Sequence, residues 1–177
     1  VPGEFTRFAR YYDVDAQTPA PGGGTSATLQ FSVNNPRPTL AAIAPANVQA
    51  GTDASMTLAG TNFATNATLL LNGAAIDPAT LAAVSVLSST ALTVEIPGAL
   101  IAASGSYTLR VVNPAPGGGQ SGARSFVVRA GELASAEFIG ITAATLTTGQ
   151  SEAFAIRYRD AFGNLVDTER EFVHYAN

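Results

Sequence analysis

Apolar and polar side chains alternate along most of the chain with a period of two. Met56 and Leu58 alternate with Ser55, Thr57 and Ala59; Val84 and Val86 flank Ser85. Leu92, Val94 and Ile96 alternate with Thr93 and Glu95. Tyr107, Leu109 and Val111 alternate with Thr108 and Arg110, and Phe126 and Val128 follow the same rule. This is the pattern of half-buried antiparallel strands, one face in a core and the other in water. Turn signals separate the runs at Gly51-Thr52, Gly60-Thr61-Asn62, Asn72-Gly73, Pro97-Gly98, Gly105 and the Pro114–Gly119 loop. Short strands at this spacing predict a β-sandwich. Gly60 and Gly73 are expected at positive φ, and Pro97 is expected to end a strand because it cannot donate to the ladder. Phe63, just after a turn, is expected to plug one end of the sandwich. Helix is confined to two candidate turns, Asp77–Leu81 with Pro78 at its first position, and Gly98–Ser104.

The chain repeats itself. Val1–Asn34 aligns without a gap on Ile96–Arg129, at an offset of 95 residues. Tyr12 falls on Tyr107, Ser26 on Ser121, Phe31 on Phe126 and Val33 on Val128. Pro19–Gly24 falls on Pro114–Gly119. A shared Pro/Gly loop is a weak signal alone; aromatic and β-branched neighbours in register make it a strong one. The repeat divides the chain into residues 1–35, the end of one module; 36–129, a complete module; and 130–177, the start of another; the rival reading is that the two partial ends complete one another, within one molecule or between neighbours. The last part alternates at Phe154, Ile156 and Tyr158, and turns at Asp160–Asn164. The linkers, Asn34-Asn35-Pro36 and Ala130-Gly131, are short enough to limit hinge freedom.

The middle module resembles an IPT/TIG domain. The resemblance is carried by Pro38-Thr39-Leu40, Ile43-Ala44-Pro45, Met56–Phe63, Leu69–Gly73, Leu92–Pro97, Gly105–Pro114 and Phe126–Val128. It covers all of 36–129, and its second half recurs in 1–35. Gly149–Ser151 with Asp160–Val166 is similar to the first part of filamin-type and bacterial Ig-like repeats. The resemblance implies an all-β protein of tandem immunoglobulin-like β-sandwiches, one complete and two partial. Such domains mostly supply spacers and binding surfaces.

Composition narrows the chemistry. Of 177 residues, 46% are hydrophobic and 12% charged, and the net charge is −4. There is no Cys, no Trp and one His, and all nine basic residues are Arg. Disulfides, Cys-ligated metals, Cys nucleophiles and Lys Schiff bases are therefore excluded. Arg37, Arg110, Arg124 and Arg129 are scattered rather than clustered, which argues against nucleic acid. No apolar stretch is long enough for a membrane-spanning helix.

Candidate sites are few. His174 reads as a strand residue facing solvent, with no Gly-x-Ser-x-Gly elbow to supply a nucleophile. Asp13 with Asp15, and Asp160 with Asn164 or Asp167, are the candidate metal sets. Calcium wants six to eight oxygens, so the first pair reads as a solvated strand face. The Gly22–Gly24 and Gly117–Gly119 runs precede strands rather than helices, so they read as flexible hairpins, not phosphate cradles. Tyr11 and Phe8 are candidate exposed rings, since Tyr12 aligns with the core position Tyr107. No catalytic, cofactor-binding or metal-binding residue is assigned.

The expected function is a non-catalytic structural spacer in a large extracellular or cell-surface protein. Its 33 Ala and 19 Thr would give smooth, uncharged faces for module stacking. Two other functions fit the pattern. One is a subunit of an extracellular filament or virion appendage with strand exchange between chains; the other is an adhesin or glycan-binding module acting through its end loops. The expected partners are adjacent Ig-like modules, copies of the chain itself, or a glycan or other cell-surface ligand.

Overall fold

The computed structural model describes residues 9–77, 84–141, 145, 147–166 and 170–175, the last six by backbone alone. The Asp77–Leu81 turn beyond Asp77, and Phe8 and Asp167, lie outside these residues. The strands are β1 (Arg10–Val14), β2 (Gln17–Thr18), β3 (Gly24–Thr25), β4 (Leu29–Val33), β5 (Thr39–Ala44) and β6 (Asn47–Gln49). They continue as β7 (Ala54–Thr61), β8 (Thr68–Leu71), β9 (Ala74–Ala75), β10 (Val84–Ser88) and β11 (Ala91–Ile96). A 3-10 turn, Gly98–Ile101, precedes β12 (Gly105–Asn113), β13 (Gly119–Gln120) and β14 (Arg124–Arg129). Last come β15 (Leu133–Ile139), β16 (Ser151–Asp160) and β17 (Arg170–Tyr175). Contacts gather into two compact units: Val1–Ala44, Ser55–Glu95 and Thr108–Ser125 form the first, and Pro45–Ala54, Ile96–Tyr107 and Phe126–Asn177 the second.

Hydrogen bonding orders the strands β10–β11–β7–β5 in one sheet and β6–β14–β12–β8–β9 in another. The alternation read from the sequence is the alternation of burial. Met56 and Leu58 on β7, Leu92 and Val94 on β11, and Leu109 and Val111 on β12 are almost fully buried, with polar neighbours between them facing outward or partly so. Amphipathic sheets of this kind hide their apolar faces against each other as a sandwich. Phe63 is buried, as expected. β11 ends at Ile96, immediately before Pro97. Asn72 and Gly73, both at positive φ (51° and 83°), make the tight turn from β8 to β9.

Two details differ from expectation. Gly60 is not at positive φ. Its lack of a side chain serves close approach instead, because a Cβ there would run into the carbonyl oxygen of Thr39 and lie 2.6 Å from Cζ of Phe63. And β6 pairs with β14 in parallel, Val128 opposite Val48. Pro45, which cannot donate to a ladder, stands where the chain leaves β5 in one sheet and takes up β6 in the other.

The repeat has a structural echo. β1 and β4 pair antiparallel with Tyr12 opposite Phe31, their rings stacked at 5.3 Å. Tyr107 and Phe126 approach to 5.6 Å. Gln17 pairs Thr25 and Thr18 pairs Gly24, while Val112 pairs Gln120 and Asn113 pairs Gly119, each at the 95-residue offset. The amide of Ala16 donates to Oγ of Ser26, and the amide of Val111 to Oγ of Ser121, both at 2.9 Å. Ser26 Oγ in turn donates to the carbonyl of Ala27, and Ser121 Oγ to that of Gly122. The same sequence has built the same hairpin twice.

In the second unit, β15, β16 and β17 form a three-stranded antiparallel sheet with β16 in the middle. Phe138 is paired with Ile156 and Ala136 with Tyr158, which puts these side chains on one face with Phe154. Phe138 and Phe154 meet edge to face at 5.7 Å. The opposite face carries Arg157, Ile139 and Ala155 and the Arg159–Glu137 ion pair at 3.8 Å.

Candidate functional site

The most highly organised polar groups lie around the two short linking segments. The first cluster surrounds Asn35. Its amide donates to the carbonyl of Pro116 at 2.8 Å, and its own carbonyl accepts from the amide of Gly118 at 2.7 Å. Its side-chain Nδ2 donates to the carbonyl of Pro114 at 2.8 Å. Gly117 and Gly118, at φ of 70° and 68°, allow this embrace: a Cβ on Gly117 would lie 2.6 Å from Cβ of Asn34. The Pro114–Gly119 loop is therefore no free hairpin. Its glycines let the backbone close on the segment Asn34–Arg37, and Arg37 Nε donates to the carbonyl of Gln120 at 2.8 Å.

Asn113 fastens the same region from inside. It is almost fully buried, and its Nδ2 donates to the carbonyls of Pro36 (2.9 Å) and Asn62 (2.6 Å). Its Oδ1 accepts from the amide of Ala64 at 3.0 Å. A buried amide satisfied this fully fixes the loops that it bonds.

The second cluster centres on Asp160. This carboxylate is buried and accepts from four N–H groups. Oδ1 takes the amides of Phe162 (2.9 Å) and Asn164 (2.8 Å); Oδ2 takes the amide of Gly131 and Nδ2 of Asn164, both at 2.8 Å. Asn164 then reaches the segment before β12. Its Nδ2 donates to the carbonyl of Ala102 at 2.8 Å, and its Oδ1 accepts from the amide of Ser104 at 2.8 Å. Gly51, at φ 70°, leaves room for the Phe162 ring, which a Cβ there would strike. One five-residue turn thus ties β16 to Gly131 and to the segment that carries Ala102–Ser104.

The electrostatics follow from this geometry. Burial acts to raise the pKa of Asp160, but the N–H donors of Gly131, Asn164 and Phe162 outweigh it, and the carboxyl sits below its ordinary value. The same donors occupy the oxygens of Asp160 and Asn164. Both carboxylate oxygens of Asp160 accept from N–H groups, and Oδ1 of Asn164 accepts from another.

The other sequence candidates stay apart. Asp13 is exposed on β1 and accepts from Nε2 of Gln30 at 3.0 Å. Asp15 is exposed just beyond the strand. Tyr11 is exposed, whereas Tyr12 is buried with the guanidinium of Arg10 at 4.5 Å from its ring centre. His174 is described by its backbone alone, opposite Glu152. An open depression is lined by Asn47, Val48, Gln49, Arg129 and Ala130, where Arg129 Nε donates to Oδ1 of Asn47 at 3.3 Å. Among the described residues, no three His, Cys, Asp or Glu side chains gather as metal ligands, and no helix is long and apolar enough to cross a membrane.

No family model matches the chain, and no curated protein matches it. Among solved structures the chain is similar to a chimeric titin Z1Z2 functionalized with a KLER exogenous peptide from decorin. That likeness is 18% identity at a TM-score of 0.33, over 71% of this chain and 61% of that one. The chain thus spans less than two thirds of that neighbour's length. Its class stands on its own sheets. The fold is all-β and immunoglobulin-like.

Proposed function

We propose that this chain is a non-catalytic, load-carrying segment of a modular protein, in which short linkers are locked rather than free. In this reading residues 36–129 are one IPT/TIG-like module, residues 1–35 end the module before it, and residues 130–177 open the next. Its setting in this reading is extracellular or at a cell surface, where such a segment would hold other domains apart.

The observation that carries this reading is the Asp160–Asn164 turn, which bonds Gly131 and Ala102–Ser104 at once. A hinge needs backbone groups that can exchange partners with water. Here the linking residue's amide is held by a buried, charge-assisted acceptor. Asn35, with three bonds into the Pro114–Gly119 loop, and Arg37 beside it, bonded to Gln120, support the same reading. A chain built this way transmits position rather than chemistry.

Backbone ¹⁵N relaxation on the full chain tests it. Residues 37–129 and 133–160 should share one rotational correlation time. Replacing Asn164 and Phe162 together with Ala should separate the two values while both sheets stay folded. Independent tumbling in the unaltered chain would overturn the proposal.

A further inference from the structure

We propose that Asn72 is a site of spontaneous deamidation, a covalent modification gated by the release of its side chain from β12. Asn72 and Gly73 form the exposed turn between β8 and β9, at φ of 51° and 83°. Gly73 brings no side chain to shield its nitrogen, and a Cβ there would meet nothing within 4 Å. Among the described residues, hydrogen bonds engage neither that nitrogen nor Nδ2 of Asn72. Asn62 differs. It too has a positive φ, 61°, but the nitrogen after it belongs to the buried Phe63 and donates to the carbonyl of Ser89 at 2.8 Å. Asn72 is the chain's one asparagine followed by glycine.

In the reaction, solvent base takes the proton of the Gly73 nitrogen, which attacks Cγ of Asn72. The bond from Cγ to Nδ2 breaks, and Nδ2 takes a proton from solvent and leaves as ammonia. The five-membered imide then takes up one water. Opening at Cγ gives aspartate; opening at the main-chain carbonyl gives isoaspartate, whose backbone runs through Cγ and is one carbon longer. One water is consumed and one ammonia released, with no change of oxidation state.

The fold supplies the gate. Oδ1 of Asn72 accepts from the Thr108 amide at 2.9 Å, and the Asn72 amide donates to the Thr108 carbonyl at 2.9 Å. The side chain held this way continues the β8–β12 ladder one step past the Leu71–Leu109 pair. It is turned across to β12 rather than back onto Gly73. Bringing Cγ onto the Gly73 nitrogen breaks the bond to Oδ1, so the reaction waits on local opening of the turn. Isoaspartate cannot resume that turn, because its extra backbone carbon displaces the pairing of Leu71 with Ala74. Deamidation thus loosens the β9 edge for good.

The full chain is incubated for weeks at mildly alkaline pH, both folded and in urea, and mapped by peptide mass and by isoaspartate-specific methylation. The mass gain of one amide-to-acid conversion should appear first at Asn72, with isoaspartate in the product. In the folded chain it should be roughly tenfold or more slower than in urea. In the deamidated fraction the amides of Ala74, Ala75 and Thr108 should shift and lose protection. Asn72→Asp, which adds the charge without the extra carbon, should keep the native turn. No conversion at Asn72 in the folded chain, a rate equal to that in urea, earlier conversion at another asparagine, or an Asn72→Asp chain as disturbed as the deamidated one would each overturn the proposal.

Discussion

Two stretches of this chain, residues 10–33 and 105–128, make the same strand pairs, the same aromatic contact and the same serine hydrogen bonds. They differ in cover. Leu109, Phe126 and Val128 are buried, while their counterparts Val14, Phe31 and Val33 face solvent in part; Tyr12 runs the other way, buried where Tyr107 is half-buried. The comparison separates two causes that structures usually confound. Hairpin geometry is local: it follows from alternation, the proline–glycine loop and one serine that bonds back to the ladder. Burial is not local; it comes from a second sheet. A two-stranded hairpin alone is marginal in water, so most of its stability must come from whatever packs on it.

Mutations at paired positions can break this comparison. Phe126→Ala should cost about 3–5 kcal/mol, and Phe63→Ala about the same, because both rings are buried. Phe31→Ala should cost under about 1 kcal/mol in dilute solution, since its ring is only half covered. Equal losses in urea denaturation would show that the first hairpin is as covered as the second.

Asp160→Ala should cost about 1–2 kcal/mol, because it strands the part-buried N–H donors of Gly131, Phe162 and Asn164. The loss should appear at residues 130–166 and leave both hairpins intact. The carboxyl's pKa is depressed in the folded chain. Its contribution is therefore complete above the unfolded value near about 4 and disappears as pH falls through the folded one. Acid titration followed by amide NMR should show this region responding to pH below about 4, with the response absent in Asp160→Asn.

Substitutions at the loops sharpen the contrast. Gly22→Ala should cost about 1 kcal/mol, for positive φ alone, since a Cβ there meets nothing. Gly117→Ala should cost about 2 kcal/mol or more, because its Cβ also meets Asn34 and Asn35. Ser121→Ala should cost about 1–2 kcal/mol, and the exposed Ser26→Ala, the smallest effect of all, at most about 0.5 kcal/mol. Thermal melts of the two pairs measure both differences.

How much of this was legible in the sequence depends on the range of the interaction. Period-two alternation at Met56–Leu58 or Leu109–Val111 marks strand and face together, and the Asn72-Gly73 turn carries its own φ requirement. Gly60 was misread because the need for a bare backbone comes from Thr39 and Phe63, not from a local turn. The parallel pairing of β6 with β14 was invisible because it joins residues about 80 positions apart. The Asp160 turn was legible as a turn, with its Gly163-Asn164 signature. Its bonds to Gly131 and, through Asn164, to Ala102 and Ser104 were not, since those partners lie 29 and about 60 residues away. The glycine loop was read as loose, yet Gly117 and Gly118 close on Asn35; a glycine run looks the same whether its freedom is used for motion or for one demanding conformation.

Hydrogen–deuterium exchange on dilute, monomeric chain compares the two hairpins in one experiment. Amides of β12 and β14, whose sheet continues to β8 and β6, should exchange only with global opening, while those of β1 and β4, paired only with each other, exchange orders of magnitude faster. Equal protection of the two hairpins would contradict the account, for it would mean that the first is covered as fully as the second.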